Sequence, residues 1–508
     1  MEINDPIAKE VPELSPETEN AGITREGIIG LVFALAMLAA AYLLVEIFPI
    51  MLNPLGSLIL IVSIYAATTA AALLLGAKPD AFSFAALVLA VIGALYRMIH
   101  GYADFDLFPI IVIEALLYAY YSVTLFSNHS RSMGGGLLLD LVKGITYLFA
   151  SFHEFFAAIF KPRGAKKRRH TGLLVLGGVL ITAAVVVAVA ALLSYDSHFK
   201  ALLPNIDLED VFEIVFKIGC AIPIAAMLFG AVMSSLKRKF PKLSEAESVN
   251  RVGSKVKVVA PILVIMPIAA LLIVYALFFI SQWGYYVSAF THTLPENYSA
   301  AEYAREGFFQ LLAVTLINLV MIALAGCFMK ETTKATGAIK RILMITLSAA
   351  TLVLIATAVA KMLLYIDTYD LTRLRLFTTA FMVFLAVIFI TVIISAIFKK
   401  VKVLPVVVAA AVLFFAAYSL VNTNRVIAKY NVDSYLSGKH DSIDVDYLRH
   451  DLGWSSAPEL KRLAEEATGG VKTRAEEAYR DMRSSIRHVE WYEADIPYYE
   501  AKKTFEDK

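Results

Sequence analysis

The sequence predicts an all-α fold: a polytopic integral membrane bundle of about eleven transmembrane helices with a small extracytoplasmic helical tail. Apolar residues make up 59% of the 508 residues and charged residues only 18%, whereas soluble domains carry roughly a quarter charged residues. Apolar runs of about 20 residues, the length that crosses the hydrocarbon core, recur along most of the chain. One water-soluble core could not bury so many of them.

The first element, residues 1–26, is polar and acidic and is predicted to be a cytoplasmic N-terminus. It lacks the basic start of a secretory signal, and the apolar run after it is long enough to span a membrane. That run is therefore expected to stay as an anchor.

The predicted spans form two groups, helices 1–4 in residues 27–126 and helices 5–11 in residues 172–421. Each is a predominantly apolar run of helical length. The ranges are 27–48, 55–77, 82–99, 105–126, 172–194, 211–234, 258–281, 307–329, 342–365, 376–398 and 404–421.

The sidedness of the connections follows from lysine and arginine. These residues are concentrated after the fourth, sixth, eighth and tenth predicted spans, and the intervening loops hold few apart from Arg373 and Arg375. Basic loops are retained in the cytoplasm. We therefore expect a cell (cytoplasmic) membrane protein with its N-terminus inside and its tail outside.

Residues 127–171 are predicted to be a cytoplasmic amphipathic and basic segment. Within residues 134–160, Asp140 and Lys143 interrupt an apolar run, which indicates a helix lying along the inner membrane surface. The basic residues beside it are either contacts for anionic lipid head groups or simply determinants of topology. They are Lys166, Lys167, Arg168 and Arg169.

The last element, residues 422–508, is a charged tail. Ser456 and Pro458 predict the start of a helix, Gly469–Gly470 its end, and residues 472–493 a second amphipathic helix. The tail is long enough for a small helical domain on the outer surface; a partly disordered end is the alternative.

Ionisable residues inside spans are costly and are candidates for function. Glu114 lies near the middle of the fourth span and would be protonated unless a cation faces it. It is either part of a proton or cation relay or a neutral carboxyl hydrogen-bonded between helices. Glu213 and Lys217, four residues apart, are predicted to form a structural ion pair.

The eighth span begins with a polar stripe. Tyr303, Glu306 and Gln310 fall on one helix face with Asn318 close to it, and Arg305 points the other way. Such a stripe must face protein or water rather than lipid. The stripe either forms hydrogen bonds between helices or lines a cavity, and both interpretations stay open.

No enzyme motif is present: the sequence lacks HExxH, GxSxG, Walker A and a GxGxxG motif between a strand and a helix. We therefore expect a protein without enzymatic activity, cofactor or metal. Membrane lipids are the expected partners, with a protein partner possible through the tail, and no nucleic acid.

Three segments resemble a known family. They are YAREGFFQLL at 303–312, LTRLRLF at 371–377, and NTNRVIAKYNVDSYLSGKHDSIDVDYLRHDL at 422–452. They resemble the bacterial membrane family called domain of unknown function 4173 and its broader relative, numbered 4153. The resemblance implies a multi-pass bacterial membrane protein and supplies no activity.

All three segments fall on the predicted outer side, and we expect them to meet there. Glu306 and the Asp367–Asp370 turn are candidate partners of Arg373 and Arg375, with YNVDSYL capping them. The whole candidate cluster is Tyr303, Arg305, Glu306, Gln310, Asp367, Asp370, Arg373 and Arg375.

Two functions fit these observations. The first is a non-enzymatic sensor, regulatory or assembly partner that uses the outer cluster and the tail. The alternative is a small-solute or ion transporter with a path that involves Glu114 and the stripe of Tyr303, Glu306 and Gln310.

Overall fold

The computed structural model is helical. It describes residues 24–47, 54–101, 107–126, 135–160, 208–237, 260–281, 308–327, 329, 333–398, 400–489 and 494–506. Before the tail, the helices are α1 Arg25–Ile47, α2 Pro54–Leu74, α3 Ala81–His100, α4 Leu107–Leu125, α5 Gly135–Ala150, α6 Phe152–Phe160, α7 Leu208–Lys237, α8 Pro261–Ser281, α9 Phe308–Cys327, α10 Lys334–Tyr369, α11 Arg373–Ile397 and α12 Val403–Leu420.

Within the described ranges, eight helices are long and apolar enough to cross a membrane: α1, α2, α3, α7, α8, α10, α11 and α12. Two shorter apolar helical stretches, Ile110–Leu125 and Leu312–Gly326, coincide with the predicted fourth and eighth spans. The predicted fifth span, 172–194, lies outside the described residues. The chain is thus a helical membrane protein, and eight helices of its described part meet the length criterion, so the predicted count of about eleven spans stays a prediction.

The chain divides into two compact units. The first contains Met1–Pro49, Ser63–Lys78 and Thr146–Lys239. In it, α1 and α6 pack on α7 around Phe229, whose ring lies 5.4 Å from that of Phe33 and 5.9 Å from that of Phe155. Gly230 allows the close approach of α6, because a Cβ there would lie 3.2 Å from the backbone of Ser151.

The second unit contains Ile50–Val62, Pro79–Ile145 and Phe240–Lys508. In it, α3 packs on α4 and α12, and the 36-residue α10 packs on α8, α9 and α11. Inside the bundle, the buried amide of Asn318 accepts from the hydroxyl of Tyr275 at 2.6 Å and donates to that of Thr351 at 2.9 Å. This side chain of the predicted polar stripe is therefore engaged in interhelical hydrogen bonds.

The predicted amphipathic helix at 134–160 is two helices, α5 and α6, separated at Ser151. Each packs on helices of the bundle: Gly144 of α5 lies against the backbone of Ala119, and Phe155 of α6 is 1% exposed. The prediction of one continuous helix is therefore corrected to two helices, whereas their location along the inner membrane surface stays a prediction.

The tail, described from residue 422, is a small helical structure with its own buried leucines. Its helices are α13 Thr423–Leu436, α14 Ala457–Glu466, α15 Gly469–Ser485 and α16 Ile496–Glu506, with a π-helical turn at Tyr447–Asp451 and 3-10 turns at Gly453–Ser456 and Ile486–His488. Ser456 precedes α14 as predicted. Gly469, at φ +63°, begins α15 instead of ending α14.

Candidate functional site

Within the second unit, the tail packs against one end of the bundle helices α3 and α11. We call this region the tail junction: the Asp367–Arg375 turn between α10 and α11, the end of α3 at Arg97–Gly101, and the tail from Asn422. It contains most of the described members of the predicted outer cluster.

The turn is held by an asparagine of the tail. Leu371 is buried, and Asn431 of α13 bonds to both of its backbone groups: Oδ1 accepts from the N–H at 2.8 Å and Nδ2 donates to the carbonyl at 3.0 Å. Asp370 before it has φ +66°, which is unique among the non-glycine residues in the described ranges. Conformations of this kind cost about 1–3 kcal/mol and persist where the surroundings impose them.

Arg373 ties the start of α11 to two parts of the tail. Its Nε donates to Asn424 Oδ1 at 2.7 Å, and its Nη2 donates to the carbonyl of Asp451. Its backbone N–H donates to the hydroxyl of Tyr447 at 3.2 Å. Burial raises the pKa of Tyr447, partly offset by this hydrogen bond and by the charge of Arg373.

Arg375 closes the end of α10. Its Nη1 donates to the carbonyls of Tyr369, at 2.6 Å, and Asp370, and its guanidinium lies 3.9 Å from the centroid of the Tyr365 ring. A cation on the last carbonyls of a helix is favourable, because those groups have no partner within the helix.

The carboxylates of the turn bind the tail rather than the two arginines. Asp367 accepts from Lys439 at 2.6 Å, and Asp370 lies 2.5 Å from His440 Nδ1. His440 Nε2 lies 2.7 Å from the carbonyl of Asp367. The hydrogen bond with Asp367 raises the pKa of Lys439. Of the partners predicted for the arginines, the Asp367–Asp370 turn contacts Arg375 through the backbone carbonyls of Tyr369 and Asp370. Its two carboxylates bind the lysine and the histidine of the tail instead.

Buried polar groups gather at the end of α3. His100, Asn424 and Asp495 are each less than 5% exposed, and Asn424 Nδ2 donates to the carbonyl of His100 at 2.9 Å. Asp495 Oδ1 accepts from the N–H of Tyr498 at 2.6 Å. Its other oxygen faces Gly101, which has φ +68°; a Cβ on Gly101 would lie 2.5 Å from it.

Among the described residues outside the spans, Asp495 has the largest pKa shift. Burial raises its pKa to about 6, opposed by the Tyr498 N–H and by the positive charge of Arg97. This carboxyl of the tail, buried against the end of α3, therefore changes charge within the physiological pH range.

The other predicted residues are placed as follows. Tyr303, Arg305 and Glu306 lie outside the described residues, as do Lys166, Lys167, Arg168 and Arg169; Gln310 is in α9, but its side chain is outside them too. A Cβ on Gly93 of α3 would meet the Glu114 carboxyl. Lys217 pairs with Glu213 at 2.5 Å, which confirms the predicted ion pair.

Five side chains of the tail that bond within the tail junction were not predicted from the sequence: Asn424, Asn431, Lys439, His440 and Asp495. A signal existed for the first two, because residues seven apart on a helix share a face. The described residues contain no group of three or more histidine, cysteine or acidic side chains that could hold a metal ion.

Comparison with known proteins gives a family and no annotated relative. A family model described as Domain of unknown function (DUF4153) matches residues 84–463. The match runs from α3 into α14, so it includes the Asp367–Arg375 turn and excludes Asp495. It is the broader of the two families that the sequence resembles. No curated protein and no solved structure matches the chain.

Proposed function

This chain belongs to the DUF4153 family, a domain of unknown function. We propose that it is a non-enzymatic membrane protein whose tail packs on one end of the membrane helices, as a cap, and binds a protein partner. In this proposal the helices anchor the cap, and the tail junction fixes its position. A cap held in a fixed position can present one defined surface of the tail to another protein. We therefore propose a regulatory or assembly role. Membership of the narrower 4173 family is part of the same proposal.

The observation that carries the proposal is the pairing of Asn431 with both backbone groups of Leu371. It is supported by the hydrogen bonds of Arg373 to Asn424 and to the carbonyl of Asp451. Side chains that satisfy buried backbone groups are costly to remove, so they favour a tail that stays docked.

The proposed docking surface is the charged face of α15. It is exposed and carries both signs, and it lies opposite the side that packs through Ala475, Ala478 and Met482. Its members are Arg474, Glu476, Glu477, Arg480 and Arg483.

Photo-crosslinking in cells tests this function. A photoreactive amino acid at Glu476 or Arg480 should give one discrete protein adduct, and the N431A/R373A variant should lose that adduct while still being inserted in the membrane. The matched control is Val353, which is 47% exposed on the apolar face of α10. Adducts that are equal at all three sites, or that survive undocking, would overturn the proposal.

The proposed location is the cytoplasmic membrane of a bacterium, with the N-terminus inside and the tail outside. The alternation of basic loops supports it. With Cys220 and Cys327 replaced by serine, a cysteine introduced at Arg474 should react with a membrane-impermeant maleimide in spheroplasts. Reaction only after lysis would show that the tail lies in the cytoplasm and would contradict the proposed orientation.

Transport is the second candidate function. The carboxyl of Glu114 beside Gly93 within a predicted span favours it, because intramembrane carboxyls often mark ion pathways. A path requires water at this position, so an E114C variant should react with an aqueous methanethiosulfonate. Protection from both sides of the membrane would exclude the path.

A further inference from the structure

The last described helix, α16, lies across the ends of two helices that are long enough to span a membrane. At its start, the carboxyl of Asp495 faces Gly101, which directly follows α3. Further along α16, Glu500 forms a 2.9 Å ion pair with Arg425, in the first turn of α13 directly after α12. Both α3 and α12 are apolar spans, and they pack on each other. The helix α16 therefore lies at the level where these two spans leave the hydrocarbon core.

Four large apolar side chains at this level are exposed. Ile496 and Tyr499 are three residues apart on α16, so they share one side of the helix. Val421 and Val426 come directly after α12, and the ion pair between α13 and α16 joins this stretch to α16. We call the four side chains the apolar collar. Their exposed fractions are 43% for Ile496, 53% for Tyr499, 49% for Val421 and 46% for Val426.

The apolar collar continues the exposed side of α12. On that helix, Leu413 and Leu420 are 69% and 46% exposed, and their spacing of seven residues places them on one face. An exposed apolar face on a membrane span is the face that lipid covers. The exposed apolar surface thus extends past the end of the span onto the base of the tail. Contiguous exposed apolar patches are rare on surfaces that face only water and mark contacts with a membrane or another molecule.

We infer that the apolar collar is embedded in the lipid head-group layer on the side of the tail, and that α16 is an interfacial membrane-binding helix. Tyr499 suits this depth, because its ring is apolar and its hydroxyl is polar. Lys503 is exposed and lies seven residues after Ile496, on the same face. A lysine there lays its methylenes along apolar surface and directs its ammonium towards the phosphates. Either orientation of the chain gives the tail this contact, which is separate from the charged face of α15.

Fluorescence quenching in phosphatidylcholine proteoliposomes of the full-length protein tests the inference. With Cys220 and Cys327 replaced by serine, a single cysteine is introduced at Ile496 or Tyr499 and labelled with an environment-sensitive dye. The matched control is a label at Thr473, which is exposed on α15, a helix that packs on α14. We expect a lipid with a spin label near its head group to quench both collar labels about threefold more than the control label, because only they lie at the interface. Iodide in the water should quench them less than the control.

A label at Leu413 of α12 sets the depth scale, because a lipid with its spin label deep in the acyl chain should quench it more than the collar labels. The variant I496S/Y499S gives a second measurement that needs no dye. Both side chains are exposed, so its unfolding temperature in detergent should equal that of the wild type, whereas hydrogen exchange of α16 in liposomes should rise severalfold. Collar labels that match Thr473 with both quenchers, collar labels that match Leu413 with the deep quencher, or unchanged exchange of α16 would each overturn the inference.

Discussion

Asn431 and Leu371 form a two-bond pair across 60 residues of sequence, in which one side-chain amide satisfies both the N–H, at 2.8 Å, and the carbonyl, at 3.0 Å, of one buried residue. The pair resembles the contact that a neighbouring strand would make with an extended residue. It joins the turn between α10 and α11 to α13, and so it fixes where the tail lies.

Replacing Asn431 by alanine should weaken the docking of the tail. Both backbone groups of Leu371 would lose their partner, and a buried group without one costs about 1–3 kcal/mol. Thermal unfolding in detergent and limited proteolysis of the tail measure the effect. Asn422→Ala is the control: it removes a helix N-cap on α13, a loss of about 1 kcal/mol. A smaller effect at Asn431 than at Asn422 would contradict the role given to the pair.

Gly101→Ala should be more harmful than Gly438→Ala. Both glycines have positive φ, +68° and +72°, so both variants carry the backbone strain. Only at Gly101 does a Cβ collide with a carboxylate, that of Asp495, because nothing lies within 4 Å of the position at Gly438. The excess loss in unfolding temperature should disappear in the D495A background, as expected for coupled neighbours. Additive effects would exclude the contact.

The membrane character and the meeting of the turn with the tail could be predicted from local patterns. Apolar length indicates a span wherever it occurs, and the sidedness of the loops placed Asp370 and the tail together. The hydrogen-bond partners within the tail junction could not be predicted, because the charges in the sequence indicate only that Arg373 should pair with an aspartate. In the structure its partners are an amide and a backbone carbonyl, brought near by packing between segments far apart in sequence.

Docking of the tail should be stronger at acidic pH. The pKa of Asp495 in the folded protein, about 6, lies above its ordinary value of 3.8 because the carboxyl is buried. The folded state therefore binds the proton more tightly than the unfolded state, so this contribution is full below about pH 4 and is lost as the pH rises through about 6. The N–H of Tyr498 and the charge of Arg97 face the group, and Gly101 of the α3 end lies against it.

Hydrogen exchange of α16 measured between pH 5 and 7.5 checks this expectation. Protection should fall as the pH rises in the wild type and should vary less in D495N, which keeps the shape without the charge. D481N is the control, because Asp481 is 54% exposed and pairs with Arg449 on the surface. A wild-type profile that D495N reproduces would assign the pH dependence to another group.

Thr351→Val should destabilise the bundle, whereas Thr346→Val should not. Both hydroxyls donate to a carbonyl four residues earlier on α10, but only Thr351 also accepts from the buried amide of Asn318. Losing that partner should cost about 1–2 kcal/mol. Thermal unfolding in detergent measures the difference, and equal unfolding temperatures for the two variants would show that the Asn318 contact contributes nothing.

Gly93→Ala tests the packing of Glu114. A Cβ on Gly93 would overlap the Glu114 carboxyl and lie 3.1 Å from the Phe415 ring, and overpacking of this kind costs about 1–3 kcal/mol. Gly326→Ala, in open space on α9, should be neutral or slightly stabilising, because alanine is the better helix former. Removing the carboxyl in the G93A/E114A double variant should restore most of the unfolding temperature. If the single and double variants melt together, Glu114 does not lie against α3, and the carboxyl is open to another environment.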